Sequence, residues 1–229
     1  MKWDEDSRTH LETALNEANV LGLRMGPQNA FIDVLLHVSA LPESGPIDPD
    51  ARRALRLLSP SEVRILLRTD QTASDGYGTP IPLADLNEVE ALFASLTWGD
   101  SMYGWKFFDN PDLVKDWPPQ PSLTIRLQAS PAAHTFYWFS ECGRQDGDGT
   151  NFYCIEGTVV FEDLVVLRAD GTVQPLDVFV AEGRGYWEAM YASDQRLSVE
   201  AQRRSQVGTP KWRPWASTGT TATGALRES

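Results

Sequence analysis

The chain has 229 residues, 41% of them apolar and 10% aromatic, enough for a real core in one large domain or two small ones. Thirty-two acids against twenty bases give a formal net charge of −12, which argues against nucleic acid and for a partner protein with a basic surface. No apolar run approaches the roughly 18–20 residues that span a bilayer, "MKWDEDSRTH" is acidic where a signal peptide is basic and then apolar, and there are only two cysteines, so a cytoplasmic protein without membrane contact is expected.

In chain order, "DEDSRTHLETALNEA" sets Leu11, Ala14, Leu15 and Ala18 on one helical stripe, with acids in the first turn where the helix dipole favours them. "ANVLGLRMGPQNAFIDVLL" reads as two strands about a Gly-Pro-Gln-Asn turn, the second carrying Ile32, Val34, Leu36 and Val38 on one face. "IDPDARRALRLLSP" carries helix signals: Asp48 as N-cap, Pro49 at the first position, an Ala51, Ala54, Leu55 and Leu58 face, and Pro60 as the stop. "EVRILLRT" alternates as a strand, with Val63, Ile65 and Leu67 opposite Glu62, Arg64 and Arg68. "LADLNEVEALFASL" is helical, and "SLTIRLQ" is again a strand. Further on, Asp170-Gly171 interrupts "TVVFEDLVVLRADGTVQPLDVFV" and gives the strongest hairpin signal in the chain. "EGRGYW" reads as a turn between a strand and a short helix, and "SDQRLSVEAQRRSQ" as a final polar helix.

Seven or eight strands with three or four helices and no βαβ alternation predict an α+β fold, a largely antiparallel sheet with the helices packed on it. Residues 1–206 are expected to form a single domain, with the proline-rich "NPDLVKDWPPQPS" a surface loop inside it. Residues 207–229, rich in Gly, Thr, Ser and Pro, are expected to be a flexible, disordered tail. The last 27 residues are basic, with Arg203, Arg204, Lys211, Arg213 and Arg227 against Glu228.

No phosphate-binding loop, dinucleotide-binding glycine pattern or Gly-x-Ser-x-Gly elbow occurs. His10, His37 and His134 have no metal-ligand spacing, and neither metal nor cofactor is expected. "HTFYWFSECGRQDGDGTNFYCIEGTVVFED" reads as two strands and a loop. Its "DGDGTN" resembles calcium-binding loops, but Asn151 and Gly157 stand where the turn glycine and the closing glutamate belong. Centring the pairing on Asp148 sets Cys142 opposite Cys154 and His134 opposite Glu162. It gathers His134, Cys142, Cys154, Glu156 and Glu162 on one face and Tyr137, Phe139, Ile155, Val159 and Phe161 on the core face. His134, Glu156 and Glu162 are then the candidate set for a carboxylate-dependent hydrolase. Asp163, among apolar neighbours, requires an edge or a bulge to reach water.

The aromatic run "WGDSMYGWKFFDN" is the other candidate. As a strand it puts Tyr103, Trp105 and Phe107 on one face and Lys106 and Phe108 on the other. It is either core, or an exposed platform in which Tyr103, Trp105, Lys106, Phe108 and the loop residue Trp117 meet a partner or line a ligand pocket.

The segments "LPESGPIDPDARRAL", "VRILLR", "YGWKFFD" and "EDLVVLRADGTVQPLDVF" resemble small acidic proteins of actinobacteria, which implies a bacterial cytoplasmic origin and transfers no active site. The leading functional expectation is a non-enzymatic, acidic protein-binding module of immunity-like or regulatory type. The hydrolase and a ligand-binding domain with an aromatic-lined pocket are the alternatives.

Overall fold

The computed structural model describes residues 4–45, 47, 50–69, 79–96, 98–99, 102, 106–127 and 134–198. The chain opens on α1 (Glu5–Leu15), whose N-cap Asp4 accepts from the Ser7 amide at 2.8 Å and which buries Leu11, Ala14 and Leu15. Strands β1 (Asn19–Met25) and β2 (Phe31–His37) form the expected hairpin, joined by a short 3₁₀ turn over Pro27–Asn29. β3 (Arg52–Leu58) and β4 (Glu62–Thr69) follow, then α2 (Leu86–Ser95), the two-residue β5 (Trp98–Gly99) and β6 (Leu123–Arg126). A long hairpin of β7 (His134–Asp146) and β8 (Gly149–Phe161) leads to β9 (Asp163–Arg168), β10 (Val173–Gln174) and α3 (Leu176–Tyr191).

The architecture is mixed α+β with antiparallel pairing throughout, as expected, but its strands form two five-stranded sheets rather than one. The first has the order β1-β2-β3-β9-β10, the second β5-β7-β8-β4-β6. Two strand pairs join them. β3 and β9 pair in the first sheet, β4 and β8 pair in the second, and the chain passes directly from β3 to β4 and from β8 to β9. Backbone bonds from Glu162 to Leu58 and from Ser61 to Val160 carry the ladder through the corner, where Ser59 takes the left-handed conformation (φ 49°). The inner faces close on one core. Ile32, Val34, Leu36, Leu55, Leu57 and Val166 come from the first sheet, and Val63, Ile65, Phe136, Trp138, Val159 and Phe161 from the second.

Three local expectations are corrected. The segment read as a helix over residues 48–58 is strand β3 from Arg52 onward. It runs between β2 and β9 with Arg53, Leu55 and Leu57 buried on its inner face, while on its outer face Ala54 packs in a second apolar cluster with Leu35 and Leu167 and Arg52, Arg56 and Leu58 stay partly exposed. With an arginine on the inner face and Ala54 and Leu58 on the outer one, the strand has no clean alternation, and its apolar residues fit a helical wheel equally well. "EGRGYW" is not a turn but the middle of α3. There Gly183 lets α3 lie against α1: a Cβ would come within 2.5 Å of the Ala14 Cα and Cβ. Of the final polar helix, residues 195–197 form a 3₁₀ turn. Its remainder, like the expected tail 207–229, lies outside the described residues.

Candidate functional site

The β7–β8 register decides which side chains can meet. His134 pairs with Phe161, Cys142 with Tyr153 and Glu141 with Cys154, so the hairpin turns on Gly147 and Asp148 rather than about Asp148 alone. Shifting one strand by a single residue exchanges its two faces. The inward face therefore carries His134, Phe136, Trp138 and Cys142 with Tyr153, Ile155, Val159 and Phe161. Glu156 turns outward with Tyr137 and Thr158.

The expected trio of His134, Glu156 and Glu162 is thus not assembled. His134 and Glu156 occupy opposite faces of the hairpin, and Glu162 lies at the corner beyond β8, its amide bonded to Leu58. Cys142 and Cys154, placed opposite each other by the sequence reading, point to opposite faces instead. Asp163 does sit at the corner, partly exposed, where its Oδ1 accepts from the Leu164 amide.

Residues 98–99 and 107–109 of the aromatic run lie along the edge of the second sheet. Trp98–Gly99 pair with the far part of β7, and Phe108 bridges to Phe136 near its start. Phe107 and Asp109 hold this edge by backbone bonds with Tyr137 and Thr135. Met102, Phe107 and Phe108 are all buried, and the Phe108 ring packs 5.3 Å from that of Phe136. Tyr103 and Trp105 lie outside the described residues.

Phe108 (3% exposed) and Trp117 (7%) are consequently not projecting anchors. Phe108 is buried because the edge pairing rolls its ring onto Phe136. Trp117 is buried because the loop after a 3₁₀ turn over Pro111–Val114 folds back across the outer face of the sheet. There its Nε1 donates to Glu156 Oε2 at 3.1 Å. The Tyr137 hydroxyl donates to the same oxygen at 3.0 Å, and Arg68 Nη2 to Oε1 at 2.9 Å. These three donors compensate a carboxylate that is only 2% exposed. Lys106 is exposed.

A second polar group sits where α1 meets this edge. Asp109 takes a left-handed conformation (φ 54°), which turns its side chain back on β7. Its Oδ1 accepts from the Thr135 amide at 2.7 Å, and its Oδ2 lies 3.1 Å from both Arg8 Nη2 and His134 Nδ1. One helical turn from Arg8, the buried Glu12 accepts from the Phe108 amide at 3.2 Å. Burial pushes the Glu12 pKa above the ordinary glutamate value, against the lowering effect of the Phe108 and Phe107 amides.

The Arg8–Asp109 pair separates two clefts. One, of about 410 Å³, lies between α1 and residues 106–112 and is lined by Glu5, Glu12, Asp109 and Asp112 as well as Arg8, Lys106 and Phe108. The other, of about 490 Å³, opens on the outer face of β4, β7 and β8. Its lining includes Glu62, Arg64, Asn110, Thr135, Tyr137 and Thr158. Among the described residues no group of three or more His, Cys, Asp or Glu side chains is arranged to hold a metal ion. No described helix is long and apolar enough to cross a membrane.

Comparison with protein-family models, with curated proteins and with solved structures finds no match to this chain. The sequence singles out Lys106 and Phe108, which line the first cleft, but not Arg8 or Glu12. The one available signal was the position of Arg8 and Glu12 on the same helical face, four residues apart.

Proposed function

We propose that the protein is a non-enzymatic binding module that receives a basic side chain of a partner protein in the cleft between α1 and residues 106–112. The observation that carries this reading is the charge of that cleft. Four carboxylates line it against Arg8 and Lys106, and Arg8 is already neutralised by Asp109. Glu5 and Asp112 are exposed and make no ion pair among the described residues, so both remain available to an incoming cation. The net charge of −12 adds a long-range field that steers a basic surface toward the molecule. A partner of immunity or regulatory type is consistent with this chemistry.

The test uses an arginine-containing peptide and its citrulline counterpart, with binding followed by amide NMR shifts on the full chain. The arginine peptide is expected to shift α1 and residues 106–112 and to bind more weakly as salt rises, because exposed charges are screened. Replacing Glu5→Gln and Asp112→Asn together removes two exposed charges without touching the core, and is expected to reduce binding to the level of the citrulline peptide. Equal binding of both peptides, or unchanged affinity in the double variant, would remove the basis for this reading.

A further inference from the structure

The second cleft differs chemically from the first and is independent of the partner-docking reading. We infer that it is a binding site for a small organic monocarboxylate with a compact apolar body, anchored by Arg64. Alternation along β4 directs Arg64 outward with Glu62, opposite the inward Val63 and Ile65. Its guanidinium lies over the Trp117 ring, 5.1 Å from the centroid. Among the described residues it makes no ion pair, and a ring beneath a guanidinium leaves its in-plane N–H groups free.

The other charges of the cleft are already matched. Glu62 is paired with Arg126 at 3.6 Å, and both oxygens of Asp109 are engaged by Arg8, His134 and the Thr135 amide. Among the described residues Arg64 is thus the cation of the lining left without a counter-charge. The Arg8 guanidinium lines the same cleft but is already paired with Asp109, and its Nε is closed to solvent. Thr135 and Thr158 also line the cleft, and their hydroxyls make no hydrogen bond among the described residues.

The remaining lining decides the rest of the ligand. Pro111, Val114 and Val160 offer apolar surface beside these donors. A volume of about 490 Å³ falls within the range of small-molecule sites, roughly 300–1,000 Å³. A single carboxylate suits one uncompensated guanidinium, which it can engage through two parallel hydrogen bonds. A dianionic phosphate would bring a second charge toward Glu62 and Asp109 with nothing to offset it.

The experiment compares 3-phenylpropionate with its uncharged amide by two-dimensional amide NMR on the full chain. The carboxylate is expected to give saturable shifts at Arg64, Thr135 and Thr158, with affinity about tenfold or more above the amide, the difference a charge-assisted hydrogen bond supplies. Arg64→Gln should bring the carboxylate down to the level of the amide while the spectrum elsewhere stays that of the folded protein. Arg64→Lys keeps a cation beside Trp117 but loses the planar fork, and is expected to bind several-fold more weakly than wild type. It also provides the comparison should the glutamine variant fail to fold. The proposal is overturned if carboxylate and amide bind alike, if the shifts map outside this cleft, if no saturable shift appears by about 10 mM, or if the folded Arg64 variants keep wild-type affinity.

Discussion

Trp117 donates its indole N–H to the carboxylate of Glu156, joining a loop to the centre of a sheet across 39 positions of sequence. The bond explains why a tryptophan in a proline-rich segment is buried. It also explains how a glutamate in the middle of β8 is tolerated, since Arg68, Tyr137 and Trp117 together supply its hydrogen bonds. Replacing Glu156→Ala leaves Arg68 without that carboxylate, and breaking such a pair typically costs about 3–5 kcal/mol. For a chain of this length that corresponds to a fall in Tm of roughly 6–20 °C. Trp117→Phe keeps the ring and loses one bond to a charged acceptor, an expected loss of about 1.5–3 kcal/mol. A melting temperature unchanged in both variants would show that the loop does not brace the sheet.

Glu12 gives a pH-dependent prediction whose sign follows from its burial. Its folded pKa is raised, so the folded state disfavours its charged form, and its contribution to stability is lost as pH rises through that raised value. Glu12→Gln retains an oxygen to accept the Phe108 amide without carrying the charge. The variant is expected to be more stable than wild type at pH 7. The advantage should shrink as pH falls toward and below the unperturbed value of 4.5, where the glutamate is protonated in both states. Denaturant unfolding of both proteins across pH 3 to 7 measures this; an advantage that grows in acid would contradict it.

Cys142 and Cys154 are expected to remain unbridged under mild oxidation, because adjacent strands carry them on opposite faces. Intact mass after treatment with an oxidant, read with and without prior unfolding, reports the result. A two-dalton loss in the folded protein would require the strands to slip.

Burial, with Cys154 nearby, pushes the Cys142 thiol up from 9.0 to about 12. In the window between those values the unfolded chain ionises first, so stability falls as pH rises. Cys142→Ala is expected to show a shallower decline than wild type between about pH 9 and pH 11, a difference that cancels the lysine and tyrosine titrations common to both. Parallel curves would exclude the thiol as a contributor.

Gly157 stands opposite Trp138 in the ladder, and an added Cβ would lie 2.3 Å from the indole Nε1. Trp138 is fully buried and packed near Phe93 of α2, so it has little room to retreat. Gly157→Ala is expected to destabilise by about 1–3 kcal/mol, the usual cost of forcing extra volume into a packed core. Urea unfolding measures it, and a change below about 0.5 kcal/mol, the scale of an ordinary surface substitution, would mean that the indole has an alternative seat.

The sequence by itself determined the elements whose patterns are local. The stripe of α1, the apolar periodicity of α2, the β1–β2 hairpin and the Asp170-Gly171 turn each follow from periodicity and turn chemistry within a short window. The alternation of Val63, Ile65 and Leu67 likewise set the inward face of β4, and so the outward direction of Arg64. Tertiary structure decided everything that depends on pairing between distant segments. β3 is a strand because β2 and β9 flank it and pair with both of its edges, which its own composition does not reveal. The face of Glu156 hung on a one-residue difference in the β7–β8 turn, and a period of two converts that difference into a complete exchange of core and surface. Asp109 meets Arg8 and His134, and Trp117 meets Glu156, because separate elements converge on one sheet. No local pattern encodes such meetings, since the free energy that holds them comes from burial and bonding that exist only once the chain has folded.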